Sequence, residues 1–213
     1  MNENLEIKQR LETGIQILGI NTTVEQTLKL LNLIQLLTQW GQVYNLTAIK
    51  DPKAMIGYHI LDSLTLLPYL QEDLILDLGT GAGFPGLPLA IMQPNRSFTL
   101  LDSNGKKIRF IRQVVLELGI VNVEPIQSRI ELYCPKHEFT TIVARALAPL
   151  PQLINWAKPL LQKSGILLAS KGPKVNAELA AVKSNIAGLE AIQVHQVQIP
   201  YIIGKRYLVE IQF

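Results

Sequence analysis

The first seventy residues carry apolar positions at helical spacing. One run recurs on a single side of a helix, and Thr22 or Thr23 can cap its start. Its apolar members are Leu30, Leu31, Leu33, Ile34, Leu36, Leu37 and Trp40. A further helix is predicted from about Asp51 to Tyr69, so we expect residues 1–70 to form an N-terminal helical extension.

From Leu74 onward the pattern changes to short apolar runs, most of them separated by helical patterns of about ten to fifteen residues. The runs are Leu74–Leu76, Ser97–Leu101, Asn122–Ile126, Thr140–Val143, Gly165–Ala169, Ala191–Ile199 and Arg206–Phe213. This alternation predicts a Rossmann-like α/β core over 71–213 with a mostly parallel sheet of seven strands. Only Pro200 to Lys205 separates the last two runs, which is too short for a crossover helix. The last strand is therefore predicted to be antiparallel to its neighbour, and the whole of 1–213 to form a single domain.

Composition narrows the class of protein. Hydrophobic residues make up 48% of the chain, but no uninterrupted apolar run approaches the roughly 20 residues that span a bilayer. The polar start of the chain is unlike a signal or transit peptide. Cys134 is the single cysteine and the three histidines lie far apart in sequence, so neither an internal disulfide nor a metal site is predicted. We expect a soluble, cytoplasmic protein without a membrane partner.

Charge is distributed unevenly along the chain. Residues 1–102 carry 6 basic and 10 acidic side chains, whereas residues 145–213 carry 8 and 3. A basic C-terminal part suits a polyanionic partner, although an ordinary solvated surface accounts for the charge equally well. The basic residues that could contact such a polyanion are Lys106, Lys107, Arg109, Arg112, Lys171, Lys174, Lys205 and Arg206.

A glycine-rich segment, Leu76-Asp77-Leu78-Gly79-Thr80-Gly81-Ala82-Gly83-Phe84-Pro85-Gly86, follows the first predicted strand. Gly81, Gly83 and Gly86 match the G-x-G-x-x-G pattern of dinucleotide sites, with Asp102 at the end of the next strand. The other frame is led by Asp77 and runs through Gly79, Gly81 and Gly83, as in methyltransferases that bind S-adenosylmethionine. We favour this second frame because Asp77 suits a cationic ligand better than a pyrophosphate. The antiparallel last strand is also typical of class I methyltransferases.

Several further motifs, in their order and spacing, extend this interpretation over most of the chain. They are Tyr44-Asn45-Leu46-Thr47-Ala48-Ile49, His59-Ile60-Leu61-Asp62-Ser63, Leu101-Asp102-Ser103 with Lys106-Lys107, Gln127-Ser128-Arg129-Ile130-Glu131, Ala144-Arg145-Ala146 and Lys171-Gly172. With the glycine segment, they make the chain closely resemble the GidB (RsmG) family of bacterial rRNA methyltransferases from about Leu31 to Leu208. Members commonly differ from this chain at Ala82 and Phe84, which leaves the expected cofactor site intact.

The resemblance implies methyl transfer from S-adenosylmethionine to N7 of a guanine in the decoding-region loop of 16S rRNA, in the small ribosomal subunit. It implies that Gly79 and Phe84 line the cofactor site, that Ile130 and Glu131 flank the adenine, and that Arg145 contacts cofactor or target. The full expected cofactor site comprises Asp77, Gly79, Gly81, Gly83, Phe84, Asp102, Ser103, Ile130, Glu131 and Arg145.

The residues themselves are consistent with that target. The segment from Val143 to Leu147 lacks the Asn/Asp-Pro-Pro-aromatic run typical of amino-group methylation, and Cys134 is not placed as a nucleophile for pyrimidine C5. Guanine N7 carries an exposed lone pair and needs no general base, so catalysis would depend on proximity and alignment. Arg145, the candidate catalytic residue, would then anchor an anionic group, with a purely structural arginine as the alternative.

Other interpretations remain open at this level. Asn45, His59, Asp62 and Ser63 are polar residues in an apolar helical segment, which either covers the cofactor cleft or satisfies its own helix caps. An NAD-dependent oxidoreductase, an RNA-binding protein without activity and a methyltransferase for small molecules or proteins are the competing functions.

Overall fold

The computed structural model describes residues 3–71, 73–183 and 189–213, and within them seven strands form one sheet in the order β3-β2-β1-β4-β5-β7-β6. The strands are β1 (Leu74–Leu78), β2 (Ser97–Asp102), β3 (Val123–Gln127), β4 (Phe139–Arg145), β5 (Leu161–Lys171), β6 (Ala191–Val197) and β7 (Arg206–Gln212). All seven predicted strands are confirmed, and β5 starts earlier than its apolar run because an irregular register follows Phe139.

The last strand lies inside the sheet. Strands β1 to β5 pair in parallel, whereas β7 pairs antiparallel with β5 on one side and with β6 on the other. The predicted antiparallel relation of the last two strands is therefore confirmed. The sheet has the layout of a class I methyltransferase.

Helices cover both faces of the sheet. They are α1 (Glu3–Ile17), α2 (Val24–Val43), α3 (Pro52–Met55), α4 (Asp62–Leu64), α5 (Gly86–Met92), α6 (Gly105–Glu117), α7 (Leu150–Ala157) and α8 (Val175–Lys183). Successive strand residues point to opposite faces. Thus Ile75 of β1 belongs to the apolar core that also contains buried residues of α1, α2, α5 and α6, while Leu76 belongs to the core that contains those of α7 and α8. No described helix combines the length and apolar character that a bilayer crossing needs.

The N-terminal extension begins with two well-defined helices. Thr23 caps α2: its hydroxyl accepts a hydrogen bond from the Gln26 amide, and the Gln26 side chain accepts one from the Thr23 amide. Buried residues of α1 and α2, such as Leu11 and Leu33, share one apolar core with the sheet.

The helix predicted from Asp51 to Tyr69 is present but changes type along its length. Helix α3 leads into a π-helical turn at Ile56–Leu61, which is followed by α4 and a 3-10 turn at Leu67–Tyr69. In the π-helical turn the Asp62 amide donates to the Gly57 carbonyl, one residue further back than the α-helical acceptor, Tyr58.

The order of the strands indicates where on the sheet a ligand is expected to bind. From β1 the chain moves outward through β2 and β3, whereas β4 and β5 extend on the other side of β1. Ligands of such sheets bind at this reversal, outside the carboxyl ends of the strands. The glycine-rich loop after β1, Asp102 at the end of β2 and Arg145 at the end of β4 all lie at that edge.

Candidate functional site

A cavity of about 770 Å³ opens at the carboxyl edge of the sheet. Most of its lining comes from the glycine-rich loop, the β4–α7 loop, the end of β5 and the N-terminal extension, and α6, α8 and β7 contribute one residue each. Its lining includes Leu46, Thr47, Ile49, Tyr58, His59, Asp62, Gly79, Gly81, Ala82, Phe84, Lys107, Arg145, Leu147, Ser170, Lys171, Glu178 and Arg206. The four polar residues of the extension are divided between the two interpretations: His59 and Asp62 line the cavity, whereas Ser63 is buried and donates to the His59 carbonyl, and Asn45 is exposed outside the cavity.

The glycine-rich loop follows the frame led by Asp77. Gly79, Gly81 and Gly83 all have positive φ, at 70°, 63° and 90°, which other residues rarely adopt. A Cβ on Gly81 would meet nothing closer than Lys107 Nζ at 3.8 Å, so a ligand can approach the backbone there. Gly86 instead begins α5 and packs its backbone against the Asp77 carboxylate.

Asp77 is fully buried beneath this loop. Its Oδ2 accepts hydrogen bonds from Thr80 Oγ1 at 2.5 Å and from the Gly86 amide at 2.7 Å. Its Oδ1 has no partner among the described residues. Burial raises the pKa of Asp77 to about 6, against the lowering effect of those two hydrogen bonds. The carboxylate thus fixes the shape of the loop and keeps one oxygen uncommitted.

Asp102 joins the same loop to β2. Its Oδ2 accepts from the Gly81 amide and its Oδ1 from the Asn104 amide, both at 2.8 Å. Asn104 in turn caps α6 by accepting from the amides of Lys106 and Lys107. Ser103 lies between them and is exposed. The two acidic residues singled out in the sequence therefore both hold the loop by accepting hydrogen bonds from it.

Arg145 connects the sheet to the N-terminal extension. Its Nη1 donates to Asp62 Oδ2 at 2.7 Å and to the Tyr58 carbonyl at 2.6 Å. The Arg145 and Asp62 side chains are only 17% and 12% exposed, so this ion pair is largely shielded from water. The guanidinium also lies 5.8 Å from the centre of the Phe84 ring. The π-helical turn supports this contact, because the Asp62 amide donates to Gly57 and not to Tyr58.

His59 is stacked on Phe84, with ring centroids 4.7 Å apart. Its Nε2 forms a hydrogen bond with Thr47 Oγ1 at 2.9 Å, and its Nδ1 has no partner among the described residues. Burial, followed by the nearby positive charge of Arg145, lowers the pKa of His59 to about 4. The imidazole is therefore neutral at neutral pH.

Ile130 and Glu131 lie apart from this cavity. They form a 3-10 turn, Ile130–Leu132, after β3 and line a second cavity of about 590 Å³ together with Tyr133 and Trp156. Glu131 is exposed, and Ile130 packs against the core between the sheet and α7. The structure does not bring these two residues together with the glycine-rich loop in one cavity.

The basic residues fall into three groups. Lys106, Arg109, Arg112, Lys174 and Lys205 are exposed, while Lys107 and Arg206 line the main cavity. Lys171 points inward, and its side chain is 9% exposed. Its Nζ donates to the Ala148 carbonyl and to Glu178 Oε2, both at 2.7 Å, and Glu178 also accepts from the Leu150 amide at the start of α7. Lys171 thus supports the β4–α7 loop and offers no free charge to a phosphate.

The sequence did not indicate every residue of the cavity. Tyr58, Leu147 and Glu178 line it, yet none belongs to a local pattern that points to a ligand. Only knowledge of which distant segments of the chain pack together would have indicated these residues. No group of three or more possible metal ligands occurs within residues 3–71, 73–183 and 189–213.

A family model described as rRNA small subunit methyltransferase G, GidB, matches residues 26–206. The chain belongs to the GidB family. The ribosomal RNA small subunit methyltransferase G of Mannheimia succiniciproducens is 42% identical over 97% of this chain and 96% of its own. The protein of the same name from Aeromonas hydrophila subsp. hydrophila is 44% identical over 95% and 93%.

Solved structures support the fold of this GidB family member. A SAM-dependent methyltransferase from Aquifex aeolicus superposes with a TM-score of 0.56 at 19% identity, covering 76% of this chain and 93% of that chain. TYW2 of M. jannaschii in complex with AdoMet gives a TM-score of 0.56 at 15% identity, covering 71% and 74%. At these identities the likeness establishes the shared fold.

Proposed function

We propose that this chain transfers a methyl group from S-adenosylmethionine to N7 of a guanine in the decoding-region loop of 16S rRNA. The observation that carries the proposal is the Asp77-led glycine loop, which opens into one cavity with Arg145 in a chain of the GidB family. The relatives are named as methyltransferases of small-subunit rRNA. The choice of guanine N7 follows the family resemblance.

The residues present fit S-adenosylmethionine. Open backbone at Gly81 can receive the ligand, and Asp102 lies at the end of β2, where its two oxygens can accept from ribose hydroxyls. The uncommitted Oδ1 of Asp77 offers an acceptor for a cationic amino group. When bound, S-adenosylmethionine supplies an electrophilic methyl group on a positively charged sulfur. The remaining residues of the proposed site are Gly79, Gly83, Phe84, Ser103, Ile130 and Glu131. Of the proposed residues, Asp77, Gly83, Asp102 and Ser103 do not line the main cavity, and Ile130 and Glu131 line a second one.

The electrostatics of the cavity suit a reaction that needs no base. A positive sulfonium is consumed and a positive purine is formed, so an unpaired cation against N7 would oppose the reaction. Arg145 is compensated by Asp62, and His59 is neutral above about pH 4. These side chains can position a base and exclude water without adding net charge beside N7. Arg145 then acts by fixing the N-terminal extension over the site and by orienting what enters it.

The proposed partner is 16S rRNA in the small ribosomal subunit. Exposed Lys106, Arg109 and Arg112 on α6, with Lys174 and Lys205, can neutralise phosphates around the cavity. We propose that the protein acts in the cytoplasm as a monomer. We also propose that residues 1–70 and 71–213 act as one unit, because both line the cavity.

One experiment tests the reaction. The protein is incubated with methyl-labelled S-adenosylmethionine and small subunits from a strain that lacks this enzyme, and the labelled nucleoside is identified after digestion of the rRNA. Label in 7-methylguanosine supports the proposal. Label in another nucleoside would refute guanine N7 as the target atom and would still support methyl transfer to rRNA. Absence of label in a protein that binds S-adenosylmethionine overturns the activity on this substrate.

A further inference from the structure

The rim of the cavity carries an aromatic side chain that the reaction chemistry leaves unused. Tyr58 lines the cavity and is 40% exposed, although its backbone carbonyl is held by Arg145. It lies in the π-helical turn, directly after Gly57. The backbone position of Tyr58 is therefore fixed from inside the site while its side chain faces solvent.

The β6–β7 loop lies against the same turn. A Cβ on Gly57 would be 3.3 Å from Ile202 Cγ1 and 3.4 Å from the Pro200 carbonyl, so the loop contacts the turn closely. Tyr201 anchors the loop from its other side: its hydroxyl donates to the Arg10 carbonyl at 3.1 Å, and the Arg10 guanidinium lies 3.8 Å from its ring centre. The base of the loop is thus packed against the N-terminal extension.

The tip of this loop is apolar and solvent-exposed. Ile203 is 100% exposed, and Gly204, with φ of 119°, and Lys205 follow it. Arg206, the next residue, begins β7 and lines the cavity. An exposed isoleucine alone is ordinary on a protein surface. Here it lies three residues before Arg206, which lines the cavity, and directly after Ile202, which packs against the turn that carries Tyr58.

The charges around the cavity identify the kind of partner that fits this rim. The described acidic side chains that line the cavity, Asp62 and Glu178, are both paired with cations of the lining. Lys107 and Arg206 line it without an ion pair to any described residue. The lining is therefore positive. The exposed side chain of Tyr58 belongs to this lining, and exposed Ile203 lies on the loop that leads into Arg206. Unpaired nucleotides combine both complementary features, since they offer phosphates to cations and base faces to aromatic and apolar side chains.

We propose that Tyr58 and Ile203 contact unstacked bases of single-stranded rRNA that flank the target guanine, while Lys205 contacts the adjoining phosphate. This inference rests on the function proposed above and adds to it a specificity surface for unpaired RNA. Tyr58 stacks on one base, Ile203 packs on a neighbouring base, and the anchored loop holds the two side chains at a set separation. Neither residue belongs to the cofactor site.

The test compares matched variants in two measurements. The variants are Tyr58→Ala, Tyr58→Phe and Ile203→Ser, with Val121→Ser as a control, since Val121 is 94% exposed at the opposite edge of the sheet, before β3. We expect Tyr58→Ala and Ile203→Ser each to raise the KM for small subunits about tenfold, in line with the loss of one stacking contact. Tyr58→Phe and Val121→Ser should match the wild type, and the Kd for S-adenosylmethionine should be unchanged in all four.

The outcomes separate this inference from the proposed function. Unchanged KM values for both Tyr58→Ala and Ile203→Ser, in an enzyme that methylates rRNA, overturn the inference and leave the function standing. A rise in the Kd for S-adenosylmethionine would place Tyr58 in the cofactor site and overturn it too. Direct binding to protein-free 16S rRNA is measured in parallel. A loss of affinity confined to assembled subunits would indicate a ribosomal protein as the contact and would overturn the inference. A wild-type protein that binds this RNA without methylating it would overturn only the proposed function.

Discussion

Asp77 is a buried carboxylate that can contribute to the proposed binding site by holding the loop above it. From the sequence we expect a cationic ligand beside it, because an acidic residue at the head of a glycine-rich loop suits a cation better than a pyrophosphate. In the structure one of its oxygens already accepts two hydrogen bonds from the loop, from Thr80 and Gly86. Its contribution to binding therefore starts with the shape of the loop. The free Oδ1 is a second, separable contribution.

Replacing Asp77 by alanine should cost both stability and affinity. Two buried donors would lose their acceptor, which costs about 2–6 kcal/mol of unfolding free energy if each unsatisfied group contributes the usual 1–3 kcal/mol. We expect affinity for S-adenosylmethionine to fall by about tenfold or more, because the loop is no longer held. Urea denaturation and calorimetric titration measure the two effects. Asp73→Ala, an exposed residue just before β1, is the matched control, and equal behaviour of the two variants would contradict the assigned role.

His59 and Asp77 should give opposite pH dependences of stability. The pKa of His59 falls to about 4 from 6.5, so the folded protein binds fewer protons than the unfolded chain in that range, and stability rises with pH. The pKa of Asp77 rises to about 6 from 3.8, so the folded protein binds more protons there, and stability falls as pH rises. Each slope reaches at most about 1.4 kcal/mol per pH unit.

His59→Gln isolates one of these slopes. Without the histidine, the contribution to stability that rises with pH is lost, and the contribution of Asp77, which falls as pH rises, remains. We expect the stability difference, wild type minus variant, to increase from pH 4.5 to pH 6, measured by urea denaturation at fixed ionic strength. A difference that stays constant across this range would show that His59 does not titrate as its burial indicates.

At the scale of elements, the N-terminal extension is joined to the sheet by a polar contact as well as by an apolar core. The π-helical turn contributes the Tyr58 carbonyl, α4 contributes Asp62, and Arg145 at the end of β4 binds both. Helix α4 is one turn long and has no side-chain cap. Its position over the cavity depends on such tertiary contacts.

Asp62→Asn should loosen this part of the extension. The variant leaves the shielded Arg145 guanidinium without a carboxylate, which we expect to cost on the order of 1–3 kcal/mol of unfolding free energy. A double-mutant cycle with Arg145→Gln should show a coupling of similar size. Hydrogen exchange of residues 56–64 should accelerate in both single variants. Additive effects of the two substitutions would mean that the ion pair contributes nothing to stability.

The parts of this region differ in how far the sequence predicted them. The strands and the Asp77-led loop were predicted because their signals are local: short apolar runs, and glycines directly after a strand. The π-helical turn at Ile56–Leu61 leaves no such signal, since a shift of one hydrogen-bond register barely changes the apolar spacing. The partner of Arg145 lies 83 residues away along the chain, and only the folded sheet brings the two together. Ile130 and Glu131 show the reverse case, in which a clear motif lies outside the main cavity.

At the scale of the whole molecule, charge is segregated by sequence and by position. The acidic N-terminal part contrasts with a basic helix α6 and a basic C-terminal part. The exposed cations of α6 follow directly after Asp102, so they flank the proposed cofactor site. Lys107 is a special case, because it lies over Gly81 and belongs to the cavity as well as to the helix.

Reversing two of these charges should weaken RNA binding in a salt-dependent manner. Lys106→Glu with Arg109→Glu removes two exposed cations and leaves Lys107 in place. We expect weaker binding to 16S rRNA and a shallower plot of log affinity against log salt, by about one to two units of slope. Filter binding over a range of salt concentrations measures this, together with the Kd for S-adenosylmethionine, which should not change. Lys8→Glu with Lys29→Glu makes the same charge change on α1 and α2, and an equal loss in this control would indicate a non-specific effect.

The interior position of β7 sets the order in which the molecule can be completed during synthesis. Strand β6 leaves the ribosome first, yet its partner in the sheet is β7, which is translated after it and lies between β6 and β5. Until then β5 presents an open edge of unpaired backbone groups to the crowded cell, and Arg206 and the β6–β7 loop have no fixed place beside the cavity. A nascent chain that already contains the glycine loop, Asp102 and Arg145 therefore still lacks part of the cavity. Stop codons that remove β7 should therefore be as damaging as stop codons that remove the whole sheet.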